Sequence, residues 1–147
     1  MLDEYSSKQW TQLAALRPDW LSYFSEYPYE ESAESYLLVK IPSVGNPADE
    51  LFLYTYDEEV TIAFGVWERH FSEYEYADGG ELAAAVAEIE KIQKDELVVV
   101  SFWNGSEWLG SRTVNPAEPL ATPDFASGAR SAKVISWSGS LSRDVAL

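Results

Sequence analysis

Residues 80–105 read GELAAAVAEIEKIQKDELVVVSFWNG, and the change of period inside this stretch decides the fold class. Leu82, Val86, Ile89 and either Ile92 or Gln93 recur at helical spacing, while Glu88, Glu90, Lys91 and Lys94 occupy the other faces. Alanines at 83–85 and 87 raise helix propensity and allow close approach to a sheet. Asp78, ahead of Gly79-Gly80, marks the start. From Leu97 to Trp103 the chain becomes almost continuously apolar, as expected of a strand in the middle of a sheet that helices cover. Asn104-Gly105 then predicts a two-residue hairpin of type I′, with Glu107 to Val114 returning beside the first strand.

Working outward, the N-terminal side holds a helix and a run of strands. Leu2, Tyr5, Trp10, Leu13, Leu16 and Leu21 fall at roughly helical intervals, with Ser6 or Ser7 as the cap of a helix beginning near Lys8. Pro18 ends or restarts it, and Asp19 caps a short second piece carrying Trp20, Tyr23 and Phe24. From Tyr36 to Ile41 side chains alternate in a strand that ends at Pro42; SVGNPADE is a loop, and LFLYTYD is a second strand. After Asp57-Glu58-Glu59, VTIAFG is a third strand, with Val60, Ile62 and Phe64 on one face. On the C-terminal side, NPAEPLATPDFASGAR is a long loop and SAKVISWSGSLS a last strand with a bulge at Gly139. The expectation is one α+β domain over residues 1–147. It consists of a mainly antiparallel sheet of about six strands with two helices on one face, in the order α-β-β-β-α-β-β-β.

Composition narrows the function classes. The chain has 147 residues, 46% of them hydrophobic and 14% aromatic, which is enough apolar surface to fold. Its net charge is −15, and 21 of 25 acidic residues but only 6 of 10 basic ones lie in residues 1–100. Such a field repels nucleic-acid phosphates and draws basic proteins, so the expected partner is a basic protein and not nucleic acid. Zero cysteines exclude disulfides, thiolate nucleophiles and Cys-ligated metals, and fit a reducing cytoplasm. MLDEYSSKQW lacks a basic leader followed by an apolar run, and no segment approaches the ~20 apolar residues that span a bilayer. No membrane association and a cytoplasmic location are therefore expected.

No G-x-G-x-x-G, Walker A, G-x-S-x-G, H-E-x-x-H or calcium-loop pattern is present, and neither cofactor nor metal is expected. His70 is the sole histidine, in WERHFSEYEY. With Glu68 or Glu73 it offers a general base or metal ligand, against the plainer reading of a half-exposed histidine bonded to a neighbouring acid at a strand end. The acidic pairs read as solvated turns. Tyrosines among acids point instead to a contact surface, because tyrosine adds large area at little entropic cost. The candidate interface is Tyr27, Tyr29, Glu30, Glu31, Tyr54, Tyr56, Asp57, Glu58, Glu73, Tyr74 and Tyr76, within the 19–78 segment. In Tyr54-Thr55-Tyr56 and Tyr74-Glu75-Tyr76 each pair shares a face if its backbone is extended.

LFLYTYDEEVTIAFGVWERHF, followed by an amphipathic helix and ELVVVSFWNGSEWLGS, resembles bacterial immunity proteins over roughly residues 50 to 112. These are small cytoplasmic antidotes to secreted polymorphic or contact-dependent toxins. Together with the charge asymmetry, the tyrosines among acids and the missing catalytic motifs, the resemblance points to a non-enzymatic protein that occludes the active cleft of a basic toxin, such as a nuclease. Two alternatives stand beside it. One is a small enzyme or metal-dependent protein built on His70; the other is a phage or plasmid accessory domain whose acidity serves solubility. An exposed edge strand would also allow pairing of two copies, so the oligomeric state stays open.

Overall fold

A computed structural model describes residues 1–45 and 49–147. Its helices are Glu4–Leu16 (α1) and Glu81–Gln93 (α2). Its strands are Phe24–Pro28 (β1), Ser35–Ile41 (β2), Leu51–Tyr54 (β3), Val60–Phe64 (β4), Trp67–Phe71 (β5), Val98–Asn104 (β6), Glu107–Val114 (β7), Ser131–Ile135 (β8) and Arg143–Ala146 (β9). The fold is α+β with two antiparallel sheets, ordered β1-β2-β3-β4-β5 and β7-β6-β8-β9. By compactness the chain divides into two units. Met1–Pro42, Glu50–Ala63 and Glu68–Ile89 form the first; Ser43–Asp49, Phe64–Trp67 and Glu90–Leu147 form the second.

In the first unit, β2 buries Leu37, Val39 and Ile41 and turns Tyr36, Leu38 and Lys40 the other way. In β3, Leu51 and Leu53 are buried and Phe52 and Tyr54 lie opposite. The register Leu38↔Tyr54 and Lys40↔Phe52 keeps each set on its own side. On the buried side α1 packs beside β2, with Leu13 in the core and Trp10 against Phe24 at 4.3 Å between ring centroids. The N-cap of α1 is Asp3, whose Oδ1 accepts from the Ser6 amide at 2.6 Å.

Buried polar groups tie these elements together. Thr55 Oγ1 lies 2.6 Å from Ser6 Oγ and accepts from the Leu37 amide at 2.9 Å, extending the β2–β3 ladder by a side chain. Glu81, only 1% exposed, opens α2, where the free amides of a helix N-terminus favour a carboxylate. Its Oε1 accepts from Gln9 Nε2 at 3.0 Å and from the Tyr5 hydroxyl at 3.3 Å, joining α1 to α2. Further along α2, Glu88 accepts from Arg69 Nη1 of β5 at 2.8 Å.

In the second unit β6 lies between β7 and β8, and Val98 through Phe102 are buried, as the continuous apolar run requires. Val98, Val100, Phe102, Ala132 and Val134 share a core with Ala126 from the 115–130 loop, and Phe125 meets Phe102 edge-on at 6.1 Å. Gly110 has φ 141°, and a Cβ there would stand 2.7 Å from the Phe125 ring, so the site accepts only glycine.

Several expectations are corrected. A single sheet of about six strands is replaced by two, of five and four. β5 takes the edge beside β4, so the strands after α2 pair among themselves. The piece carrying Trp20, Tyr23 and Phe24 is a 3-10 turn, Pro18–Tyr23, and Phe24 already begins β1. The first helix starts at Glu4 with Asp3 as its cap, not near Lys8 with a serine cap, because the Asp3 carboxylate reaches the orphan amide first. The β6–β7 turn centres on Gly105-Ser106, one residue later than Asn104-Gly105. Only Gly105 has positive φ (62°), which fits type II′ and not type I′. Gly139, with φ 80°, lies in a turn between β8 and β9 where a bulge in one strand was expected. The expected loop over 43–50 includes positions 46–48, which lie outside the described residues.

Thr55→Val, nearly isosteric, strips the buried Leu37 amide and Ser6 hydroxyl of their shared partner. A loss of about 2–4 kcal/mol in urea unfolding is expected, most of it restored in Thr55→Ser.

Candidate functional site

The face of the first sheet opposite α1 collects tyrosines. β1 and β2 pair Tyr27 with Tyr36, and their rings meet at 5.9 Å. Tyr36 is the hub: its ring centroid lies 5.3 Å from Tyr29, 5.4 Å from Tyr56 and 6.5 Å from Tyr54. Tyr29 also meets Tyr56 at 5.5 Å. Tyr27 and Tyr56 are about half exposed, so the cluster presents aromatic surface outward. Thr55 is buried between Tyr54 and Tyr56 and breaks the extended backbone, yet both neighbouring rings still reach Tyr36.

Beside this cluster opens an acidic cleft of about 420 Å³ lined by Asp3, Glu4, Tyr5, Tyr29, Glu34, Asp57 and Glu58. Two of its acids stand on strained backbone, Asp57 at φ 58° and Glu58 at φ 56°, a left-handed conformation costing about 1–2 kcal/mol per non-glycine residue. The Tyr29 hydroxyl donates to Asp3 Oδ2 at 2.9 Å. Burial, that hydrogen bond and the Asp3 charge push its phenol up to about 12. Burial, and then the charge of Glu81, raise Tyr5 well above the usual phenol range. Burial also raises Tyr36 and Tyr54, the latter with help from the nearby Glu68 carboxylate. These phenols stay neutral hydrogen-bond donors at physiological pH.

His70 lies on the same side of β5, with its side chain 52% exposed. Nδ1 is 2.8 Å from Thr61 Oγ1 and 3.2 Å from Glu59 Oε2, while Nε2 is 3.4 Å from Glu68 Oε1. Of the two acids considered for it, Glu68 is at hand; Glu73 makes no described contact with it. A hydroxyl, an imidazole and a carboxylate in line suggest a nucleophile and its base. Thr61, however, is 1% exposed, so its hydroxyl orients the ring and meets no substrate in this conformation. Among the described residues no three His, Asp or Glu side chains converge as a metal site.

The structure thus gathers Tyr27, Tyr29, Tyr54, Tyr56, Asp57 and Glu58 into one region. Glu30 and Glu31 sit at the exposed tip of the β1–β2 hairpin, directly after Tyr29, with Glu31 at φ 63°. Tyr74 and Tyr76 lie outside the ring cluster, while Glu73 stands near enough to Tyr5 of the cleft for its charge to help raise that phenol. The Glu75 and Tyr76 amides both bond to the Ser72 carbonyl, so the segment is a turn and its tyrosines share no face. Tyr74 is 95% exposed, whereas Tyr76 packs on Phe71 at 5.6 Å and accepts from Arg69 Nη2 at 3.0 Å. Tyr36, at the centre of the ring cluster, is not among the candidate residues named from the sequence. Its signal was its alternation with Leu37 and Val39, which puts it on the non-core face.

Comparison of the chain with known protein families, curated proteins and solved structures returns no match. Among the described residues no helix is long and apolar enough to cross a membrane.

The shifted phenols carry a pH signature. Above pH about 10 the unfolded chain's tyrosines lose their protons while folded Tyr29 holds its own to about 12. The unfolded state then binds fewer protons, so stability falls as pH rises from about 10 to 12 and is fully present below 10. Tyr29→Phe should flatten that decline in urea melts run across this range. Phenolate absorbance of the folded wild type should lag behind that of free tyrosine.

Proposed function

We propose that this chain is a non-enzymatic binding protein that docks a basic protein on the tyrosine face and acidic cleft of its first sheet, in the manner of an immunity protein occluding a toxin's active cleft. The observation that carries this reading is the convergence of Tyr27, Tyr29, Tyr36, Tyr54 and Tyr56 beside Asp3, Glu34, Asp57 and Glu58. Rings packed against one another at tilted and edge-on angles present contact area whose rotamers are already restricted, so little side-chain entropy remains to be lost on binding. The cleft admits a lysine or arginine side chain between carboxylates, and arginine also stacks on tyrosine faces. The net charge of −15 steers a cationic partner toward this unit at long range.

The roles of the two groups separate experimentally. Against the basic partner recovered from the source organism, the association rate should fall at least about tenfold as salt shortens the Debye length from about 10 Å at 0.1 M to about 3 Å at 1 M. Asp57→Lys with Glu58→Lys should slow association, whereas Tyr36→Ala or Tyr56→Ala should speed dissociation at a cost of about 2 kcal/mol, roughly thirtyfold in Kd. Association indifferent to salt and to the Asp57/Glu58 reversal would refute the reading.

A further inference from the structure

The second unit carries a cavity lined by its own residues only. It has a volume of about 340 Å³, within the usual range for small-molecule sites of about 300–1,000 Å³. Its floor is Val98, Val100 and Val134, all buried and all on one face of the β6–β8 pair. Leu120 from the 115–130 loop and Leu141 from the β8–β9 turn form apolar walls.

The polar side chains of its lining are Asn115, Glu118, Ser140, Ser142 and Arg143, and their charge is asymmetric. Arg143 stands on β9 opposite Val134, so its side chain leaves the strand on the cavity's own face. It makes no ion pair or side-chain hydrogen bond among the described residues, in a chain with 25 acidic residues to pair with. Asn115 Oδ1 is already used as acceptor for the Ala117 amide at 2.9 Å, which leaves its Nδ2 as a donor. Glu118 is the one acidic group in the lining and hangs from an exposed turn between Pro116 and Pro119. A guanidinium unpaired among the described residues and carried by a strand beside an apolar floor suits a carboxylate in bidentate contact.

We propose that this cavity binds a small monocarboxylate with an apolar body, the body over the valine floor and the carboxylate on Arg143. Octanoate, octanol and octylamine share an eight-carbon chain and differ in head group, so they separate this site from a merely greasy or an acidic one. With the full chain labelled for amide NMR, octanoate should shift Val98, Val100 and Val134 and bind more tightly than octanol, and octanol more tightly than octylamine. Arg143→Gln should weaken octanoate about tenfold, to the level of octanol, and leave octanol binding unchanged, which also reports that the variant is folded. Glu118→Gln should tighten octanoate. Absence of octanoate shifts at the valine floor, octylamine bound as tightly as octanoate, or an Arg143→Gln variant with undiminished octanoate affinity would each overturn the proposal.

Discussion

Successive side chains of β2 leave opposite sides of the sheet, so Leu37, Val39 and Ile41 are buried only if Tyr36, Leu38 and Lys40 face the other way. Each buried aliphatic side chain contributes roughly 1.5–3 kcal/mol, and slipping the register by one residue would forfeit all three. That loss approaches the whole ~5–15 kcal/mol stability of an ordinary domain. A tyrosine pair contributes about 0.5–1.5 kcal/mol beyond its area, so the core side decides the register and the tyrosine side follows. Tyr36 therefore meets Tyr27 because Leu37 must meet α1, and β1 and β3 inherit the same division through Tyr27↔Tyr36 and Leu38↔Tyr54.

Charge is arranged around that division in two ways. Some acids serve the fold: Asp3 caps α1, Glu81 opens α2 under Gln9 and Tyr5, and Glu88 holds Arg69. Others stand in the cleft with no cation facing them in its lining, Glu34, Asp57 and Glu58 among them, the last two on strained backbone. Asp3 belongs to both groups, since Oδ1 caps the helix while Oδ2 accepts from Tyr29. One carboxylate thus fixes the start of the first helix and a wall of the acidic cleft together.

What the sequence made legible follows from how each element is paid for in contacts. α2 and β6 were readable because their burial is dense and periodic: Leu82, Val86 and Ile89 on one stripe, Val98–Phe102 continuous. β1 was hidden because it is an edge strand, mostly exposed, entered from a 3-10 turn so that the Trp20-Tyr23-Phe24 spacing across the junction imitates a helix. β5 was hidden because Arg69 stands at a position of core parity between Trp67 and Phe71. It is tolerated there by Glu88 and by the Phe71 ring 4.6 Å from its guanidinium, compensations that come from elsewhere in the fold. β9 is four residues long and nearly all exposed, which leaves no alternation to read. For the candidate site, composition pointed to Tyr27, Tyr29, Tyr54 and Tyr56, whose rings do cluster, while Tyr36 needed the register to join them, and the turn at 72–76 removes the shared face expected of Tyr74 and Tyr76.

The central claim is that the tyrosine face of β1–β3, and not the exposed tyrosine beyond β5, meets the partner. Nitration of tyrosines followed by peptide mass mapping, with and without the basic partner, tests it most directly. Tyr27, Tyr56 and Tyr74 are the reporters because all three rings are exposed in the free chain. Protection of Tyr27 and Tyr56 with undiminished modification of Tyr74 is the predicted result. Protection of Tyr74 with Tyr27 and Tyr56 still reactive would contradict the account.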